Sequence, residues 1–340
     1  MCSQTVAKRG SMNTANTYPA ALERSQVAAV VITHNRRSKL AECIDSLIAS
    51  TYPVSEIIVV DNASTDGTSD YLANRYPSVT VLTQSKNLLV SAAANLGMAH
   101  SSADYFLVLA DDNVADPDMV SELLTEAIKR RAGIAAPKML FKNEPDRLWS
   151  LGARFSFRSG VCRHRAAGEL DRGQWDQVWE PDCVHNALMI ARWVIEEIGP
   201  FDQWNFPMQN EEADLCARAK RNGIAVITVP AAKIWHDVET TTNVLRVGAR
   251  DFTVNSPFRA YLTARSRTFL VRKHGSLADK TIYISIFLLP ITLAYVAIIL
   301  LGGPRRLSTA RSYLLGTLAG LFRSLRPMSP LTWANTGHEV

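Results

Sequence analysis

Two common nucleotide-binding devices are missing from this chain of 340 residues. No G-x-x-x-x-G-K-[ST] loop occurs, and no G-x-G-x-x-G follows the first apolar run. A phosphate-bearing ligand would therefore lack a glycine cradle and would have to be held by side chains and a cation. Cysteine is sparse as well. Cys2, Cys43, Cys162, Cys183 and Cys216 are scattered, odd in number and without a C-x-x-C pair. That spacing predicts neither a zinc site nor a disulfide framework, and it points to a reducing compartment. Lys8 and Arg9 are followed by no apolar h-region, which argues against a secretory signal. Internal repeats and low-complexity tracts are lacking. The net charge of +5 is modest, and most of the excess lies after residue 240 beside apolar residues. Such blocks suit an anionic membrane surface better than DNA, so no nucleic-acid partner is expected.

The length allows one large α/β domain plus a further element, and an apolar fraction of 47% is ordinary for a globular protein with a membrane element. Residues 1–26 are polar, rich in Ser, Thr and Asn, and expected to be disordered. The run "VAAVVIT", residues 27–33, reads as a strand buried on both faces. From Ser38 a helix follows, with Leu40, Cys43, Ile44, Leu47 and Ile48 at helical spacing. "EIIVVDNASTDGTSDYL" repeats strand, acidic loop and helix; "VTVLTQ" is a third strand, residues 91–100 a small-residue helix, and "YFLVLADD" a fourth strand. This alternation predicts a mostly parallel sheet flanked by helices, with ligands at the carboxyl ends of the strands.

Acids collect at those ends. "DYFLVLADDNVADPDMV" runs from an apolar strand into Asp111, Asp112, Asp116 and Asp118. Asp ends strands readily, so an ordinary turn is one reading. The other is a clamp in which carboxylates hold a divalent cation against a phosphate ligand. Thr33-His34-Asn35 and Asp61-Asn62 follow their own apolar runs in the same way, and three such ends on one rim weaken the turn-only reading.

Several ordered segments resemble family 2 glycosyltransferases, whose fold is the Rossmann-like GT-A fold. They are "VVITHNRRSKLAECIDSLIASTYPVSEIIVVDNASTDGT" and, later, "GPFDQWNFPMQNEEADLCARAKRNGIAVITVPAAKIWH". The similarity covers about residues 27–240, and within the family the chain looks most like the rhamnosyl- and galactofuranosyl-transferase type. The resemblance implies that Asp61 binds the nucleobase, with Thr33, Asn35, Asn95 and Asp111 on the donor side. It implies that Asp112 ligates Mg²⁺ or Mn²⁺ as the last acid of the D-x-D motif, with His236 beside the metal. Ala110 stands where that motif has its first acid, and "NLLVSAAANLG" has Leu89 and alanines where glycine is usual. Glu212, at the second position of the segment matching E-D-x-D, becomes the catalytic base. Trp204, Phe206, Glu211 and Asp214 fall on the acceptor side.

Part of this has a purely structural reading. Asn210 can cap a helix, Glu211 and Glu212 suit its first turn, Asn222-Gly223 can end it, and Asp214 and Arg218 stand four apart. His236, Trp204 and Phe206 fit structural roles equally well.

Residues 281–303 carry no charge and are long enough to cross a bilayer core. Pro290 interrupts them, and basic residues flank both sides: Arg265, Arg267, Arg272, Lys273 and Lys280 before, Arg305, Arg306, Arg311, Arg323 and Arg326 after. The positive-inside rule places both flanks in the cytoplasm, which predicts a re-entrant hairpin hinged near Pro290. "RSYLLGTLAGLFRSL" then reads as an interfacial amphipathic helix with Leu314, Leu315, Leu318, Leu321 and Phe322 on its apolar face. The expected organisation is a disordered 1–26, a catalytic domain over 27–240, a helical extension over 241–280 and a membrane-associated hairpin and helix over 281–340. The expected activity is inverting transfer of one sugar from a nucleotide-diphospho-sugar to a glycan or polyprenyl-linked acceptor, among membrane lipids at the cytoplasmic face. A membrane scaffold weakened in catalysis, for which Ala110 argues, and a sugar-1-phosphate nucleotidyltransferase are the alternatives.

Overall fold

Seven consecutive residues with almost no polar atoms in their side chains form the central strand. The computed structural model describes residues 25–238, 246–247, 250–251, 254, 256–302 and 305–326, so 1–24 of the N-terminal segment and 327–340 of the tail lie outside the described residues. In it Val27–Thr33 is β1, with Ala28 and Val30 in one core and Val27, Ala29 and Val31 in the other. A strand covered on both faces needs this continuous apolar run. Glu56–Asp61 (β2), Thr80–Thr83 (β3) and Tyr105–Ala110 (β4) lie parallel to it in the order β3-β2-β1-β4. Between them run α1 (Arg37–Ile48), α2 (Thr68–Arg75) and α3 (Leu89–Ala99). Helix α1 buries Leu40, Cys43, Ile44 and Leu47, the stripe its spacing predicts, while Ile48 is exposed. Helix α3 sits very close to the sheet: a Cβ on Gly97 would fall 2.3 Å from Val30 Cγ1. Its small residues are what allow that approach.

The second half is mixed. It comprises β5 (Asn113–Ala115), α4 (Met119–Arg130), β6 (Ala132–Phe141), β7 (Glu144–Ser150), β8 (Ala153–Ser156), β9 (Val161–His164), β10 (Ala187–Ala191), α5 (Arg192–Ile198), α6 (Glu211–Arg221) and β11 (Ala225–His236). The sheet order is β3-β2-β1-β4-β10-β6-β11-β5, with β7 beside β6 and β8–β9 as a separate hairpin. Strands β10 and β5 run antiparallel to their neighbours, whereas β6 and β11 are parallel. The reversal of β5 brings Asn113 opposite His236, so the end of β4 and the end of β11 meet.

Beyond the sheet, Ser256 caps α7 (Pro257–His274), and a Ser276–Asp279 capping box opens α8 (Leu277–Ile282). Through a π turn at Tyr283–Phe287, α8 continues into α9 (Leu288–Leu301). By length and composition this rod, Leu277–Leu301, is able to cross a membrane. The hinge expected at Pro290 is absent, because the helix continues through it without a break. Proline clashes with the carbonyl four residues back, here Ile286, which lies in the π turn. There one bond is i→i+5, from Leu288 N–H to Tyr283 O, and helices often carry such a wider turn.

The chain turns back after Leu301 instead, and α10 (Arg306–Phe322) packs along α7. Cβ atoms on Gly316 and Gly320 would come 2.3 Å from Tyr261 O and 2.6 Å from Thr268 Cβ, so this small-xxx-small pair sets the contact. The polarity of α10 is inverted relative to a helix in water. Thr309, Thr317 and Tyr313 are buried, whereas Leu307, Leu314, Leu315, Leu318 and Phe322 are exposed. Leu321, expected on that apolar face, packs against the main core.

Candidate active site

The strand ends that the sequence singles out do share one rim. Thr33 and Asp61 are register partners across β1 and β2. Thr33 Oγ1 donates to Asp111 Oδ2 at 2.6 Å, and the Asp111 amide donates to Ile32 O at 3.2 Å. Asp61 is wholly buried and accepts from the Ser64 amide at 2.9 Å and from Ser69 Oγ at 2.6 Å. Asn35 adopts a left-handed φ of 55°, which its short polar side chain tolerates, and its Oδ1 accepts from the Thr65 amide at 2.7 Å. The first two loops are thereby stitched together.

The four acids after β4 divide into two pairs. Asp116 accepts from the Asp118 amide and Asp118 from Thr51 Oγ1, so these two shape the turn into α4. Asp111 and Asp112 face the rim. Arg36, which the sequence reading overlooked, reaches both, with Nη1 3.3 Å from Asp111 Oδ1 and 2.8 Å from Asp112 Oδ2. Burial, reinforced by the Asp112 charge, raises Asp111 to about 6, although the Thr33 hydroxyl and Arg36 oppose the shift. At Asp112 burial acts in the same direction but is outweighed by His236, Arg36 and Lys39, which hold it below the ordinary carboxylate range. The Asp112 carbonyl accepts from the Asp237 amide at 2.8 Å, fixing β4 against β11.

A divalent cation fits this corner. Asp112 Oδ1 lies 3.5 Å from His236 Nε2, and His236 Nδ1 is buried with no hydrogen-bond partner among the described residues. A carboxylate with an imidazole is a usual donor set for a divalent metal, and the guanidinium on Asp111 and Asp112 marks where positive charge is wanted.

Helix α6 follows two successive left-handed residues, Gln209 (φ 73°) and Asn210 (φ 65°). Asn210 makes no side-chain cap. The first turn still places its acids distinctly. Glu212, half-buried, accepts from the Asn186 amide through Oε1 at 3.1 Å. Asn186 Oδ1 in turn accepts from Asn113 Nδ2 at 3.2 Å, and that amide also donates to Ala110 O at 3.0 Å. A chain of contacts thus links Glu212 to the residue after Asp112. Asn113 and Asn186 bear no sequence mark that would reveal them.

Four other candidates are used elsewhere. Asn95 is buried and spans the Phe201 backbone, accepting from its amide at 3.0 Å and donating to its carbonyl at 2.9 Å, so it clamps a loop and has no reach toward a donor. Phe206 is 0% exposed in the core, which leaves no ring face for an acceptor sugar. Asp214 is also at 0% and accepts from Arg218 Nε at 2.9 Å, with Lys273 Nζ at 2.8 Å and His274 Nε2 at 2.7 Å. Despite burial, His274 and these cations hold its carboxyl far below the ordinary range. It ties α6 to the end of α7. Glu211 is buried, and desolvation followed by the Glu212 charge pushes it well above the carboxylate range. Trp204, by contrast, is 52% exposed, with the Arg326 guanidinium over its ring at 5.3 Å.

This arrangement, acids at the ends of a parallel β3-β2-β1-β4 half-sheet joined to a mixed half, is the GT-A fold of nucleotide-sugar-dependent glycosyltransferases. The profile of "Glycosyl transferase family 2" matches residues 28–199, and the chain belongs to that family. It is 26% identical over 259 residues to galactofuranosyltransferase GlfT1 of Mycolicibacterium smegmatis, covering 73% of this chain and 84% of the relative. It is 27% identical to the N-acetylglucosaminyl-diphospho-decaprenol L-rhamnosyltransferase of Mycobacterium tuberculosis, over 61% of this chain and 74% of that one. Among solved structures, mannosyltransferase PcManGT from Pyrobaculum calidifontis, in complex with GDP-Man and Mn²⁺, superposes with a TM-score of 0.56 at 15% identity, covering 88% of both chains. GalNAc-T7 with UDP, GalNAc and Mn²⁺ gives 0.56 at 16% identity, over 73% of this chain and 48% of that one.

Proposed function

We propose that this glycosyltransferase moves a single sugar, with inversion, from a nucleotide-diphospho-sugar to a polyprenyl-linked glycan at the cytoplasmic membrane face, in surface glycan synthesis. The observation that carries the reading is the Glu212–Asn186–Asn113 chain, which joins a carboxylate on α6 to the acid corner at the end of β4. The acceptor hydroxyl attacks the anomeric carbon while Glu212 takes its proton. The bond from that carbon to the diphosphate oxygen breaks, and the electron pair leaves with the nucleoside diphosphate. General-base assistance of this kind is typically worth about 10² to 10⁴ in rate. Asp112 and His236 would hold the divalent ion, which offsets charge on the diphosphate; the imidazole favours Mn²⁺ over Mg²⁺, since Mg²⁺ keeps to oxygen ligands. Thr33, Asn35, Asp61 and Asp111 order the donor side, and Trp204 offers a stacking face for an acceptor sugar. The decaprenol-linked substrate in the rhamnosyltransferase's name supports the lipid-linked acceptor.

Two measurements test this reading. In a panel of UDP-, dTDP- and GDP-sugars, one donor should stabilise the protein only with Mn²⁺ and be hydrolysed slowly without acceptor. At 100 times its Kd, that donor should add about 2.7 kcal/mol of stability. A chain that binds no donor in any combination is a scaffold, and the proposal falls.

Membrane association has its own test. Leu314→Glu with Leu318→Glu alters only exposed positions, so the protein should leave the membrane fraction with its melting temperature nearly unchanged. Retention in the membrane fraction would show that this face does not contact lipid.

A further inference from the structure

Two Cys-x-His triplets, Cys162-Arg163-His164 and Cys183-Val184-His185, lie twenty-one residues apart and meet in space. The first closes strand β9, where residues i and i+2 point to the same side. The second leads into β10. Backbone pairing brings them together: Ala153 of β8 is the register partner of His164 and also bridges to Cys183. The Ala153 amide donates to Cys183 O at 2.8 Å.

The distances between the potential ligand atoms form a pattern. Cys162 Sγ is 3.9 Å from Cys183 Sγ and 3.7 Å from His185 Nε2, while Cys183 Sγ is 3.6 Å from the same nitrogen. The candidate atoms of Cys162, His164 and His185 all lie within 4.8 Å of one another. A tetrahedral ion with Zn–S and Zn–N bonds of usual length has S···S edges of about 3.8 Å and S···N edges of about 3.6 Å. The Cys162–Cys183–His185 triangle already has nearly those edges, with His164 within 4.8 Å of Cys162 and His185. The His164 and His185 rings stack with centroids 4.5 Å apart, Trp149 makes a T-shaped contact with His164 at 5.5 Å, and the Ser150 hydroxyl lies 2.9 Å from His164 Nδ1. A hydroxyl outside the ligand set is the kind of partner that orients a ligating imidazole.

We propose that Cys162, His164, Cys183 and His185 form a closed tetrahedral site for a Zn²⁺-class ion, separate from the Asp112–His236 corner. Two thiolates and two imidazoles select a borderline-soft divalent metal, whereas the carboxylate corner suits a harder one. The ion would pin the β8–β9 hairpin to the segment before β10. Asn186, the next residue after His185, holds Glu212 through its amide, so the site would also steady that carboxylate. The metal site itself does not depend on the transfer reading; only this last consequence does.

Cobalt(II) titration of the reduced full-length chain in detergent provides the test. Wild type should take up one Co²⁺ that shows thiolate-to-cobalt charge transfer in the near ultraviolet, and one equivalent of Zn²⁺ should displace it. Cys162→Ser should roughly halve the band, and Cys162→Ser with Cys183→Ser should remove it. Asp112→Ala should leave the band intact, because the other corner contributes no thiolate. The wild-type spectrum requires no variant to fold. Absence of the band in fully reduced wild type would overturn the proposal, and so would its persistence in the double variant. Isolation of a Cys162–Cys183 disulfide whose reduced form binds no Co²⁺ would overturn it too, assigning the pair to redox chemistry.

Discussion

Glu212→Gln should lower kcat by about 10² or more while donor affinity barely changes. The substitution preserves shape: a glutamine carbonyl can still accept from the Asn186 amide, which now bonds Glu212 Oε1 at 3.1 Å. What it removes is the capacity to take a proton. The neighbouring carboxyl provides the control. Glu211 is buried, and desolvation together with the Glu212 charge raises it well above the carboxylate range, so it is held as a neutral acid. A carboxyl whose neutral form is favoured in this way is a poor base. Glu211→Gln, a neutral group for a neutral group, should therefore leave kcat within a few-fold. Asp214→Asn should behave differently again. It leaves Arg218, Lys273 and His274 without their shared anion, which typically costs about 3–5 kcal/mol of stability, yet the folded fraction should turn over normally. Glu212→Asp should keep partial activity, since it retains the base with a shorter reach. If Glu212→Gln transfers sugar at the wild-type rate while Glu211→Gln does not, the base has been assigned one residue out of register.

The parallel half of the sheet is legible in the sequence because its inner strands β2, β1 and β4 are largely covered on both faces. Such strands must be apolar throughout, and "VAAVVIT" leaves no other choice of bounds. The rim is legible for a related reason: polar residues directly after a buried strand have one direction in which to face. Legibility stops where a side chain's partner is remote in sequence. Asn95 is consumed by a loop 106 residues away, and nothing near position 95 announces it. Arg36 resembles any surface arginine until β4 brings Asp111 and Asp112 against it. Phe206 and Trp204 are two residues apart and equally aromatic, yet one is in the core and the other exposed. At Pro290 the local rule, that proline breaks helices, does not hold: the helix continues through it, with a π turn one turn earlier. The Cys-x-His pairs escape a search keyed to C-x-x-C, because their four side chains converge only through the backbone bridge from Ala153.

Asp112→Ala should abolish transfer, by about 10³-fold or more, and with it the Mn²⁺-dependent part of donor binding. The chain has Ala110 where the family's first motif acid stands, so no second carboxylate of the pair is available to compensate. Asp111 is a poor substitute. It is nearly buried, accepts the Thr33 hydroxyl at 2.6 Å, and is raised to about 6 by burial and by Asp112, so it holds its proton more readily than a ligand should. Asp112, by contrast, is kept ionised by His236, Arg36 and Lys39, and its Oδ1 lies 3.5 Å from His236 Nε2. Asp118→Ala sets the scale for a carboxylate in the same acid run without this role. It is exposed, its carboxylate accepts from Thr51 Oγ1, and replacing that carboxylate should change activity less than two-fold, as surface substitutions typically cost within about 0.5 kcal/mol. Isothermal titration of the donor with and without Mn²⁺ separates the two variants. Equal Mn²⁺ dependence in wild type and Asp112→Ala would remove Asp112 from the metal corner, leaving the acids after β4 as a turn and nothing more.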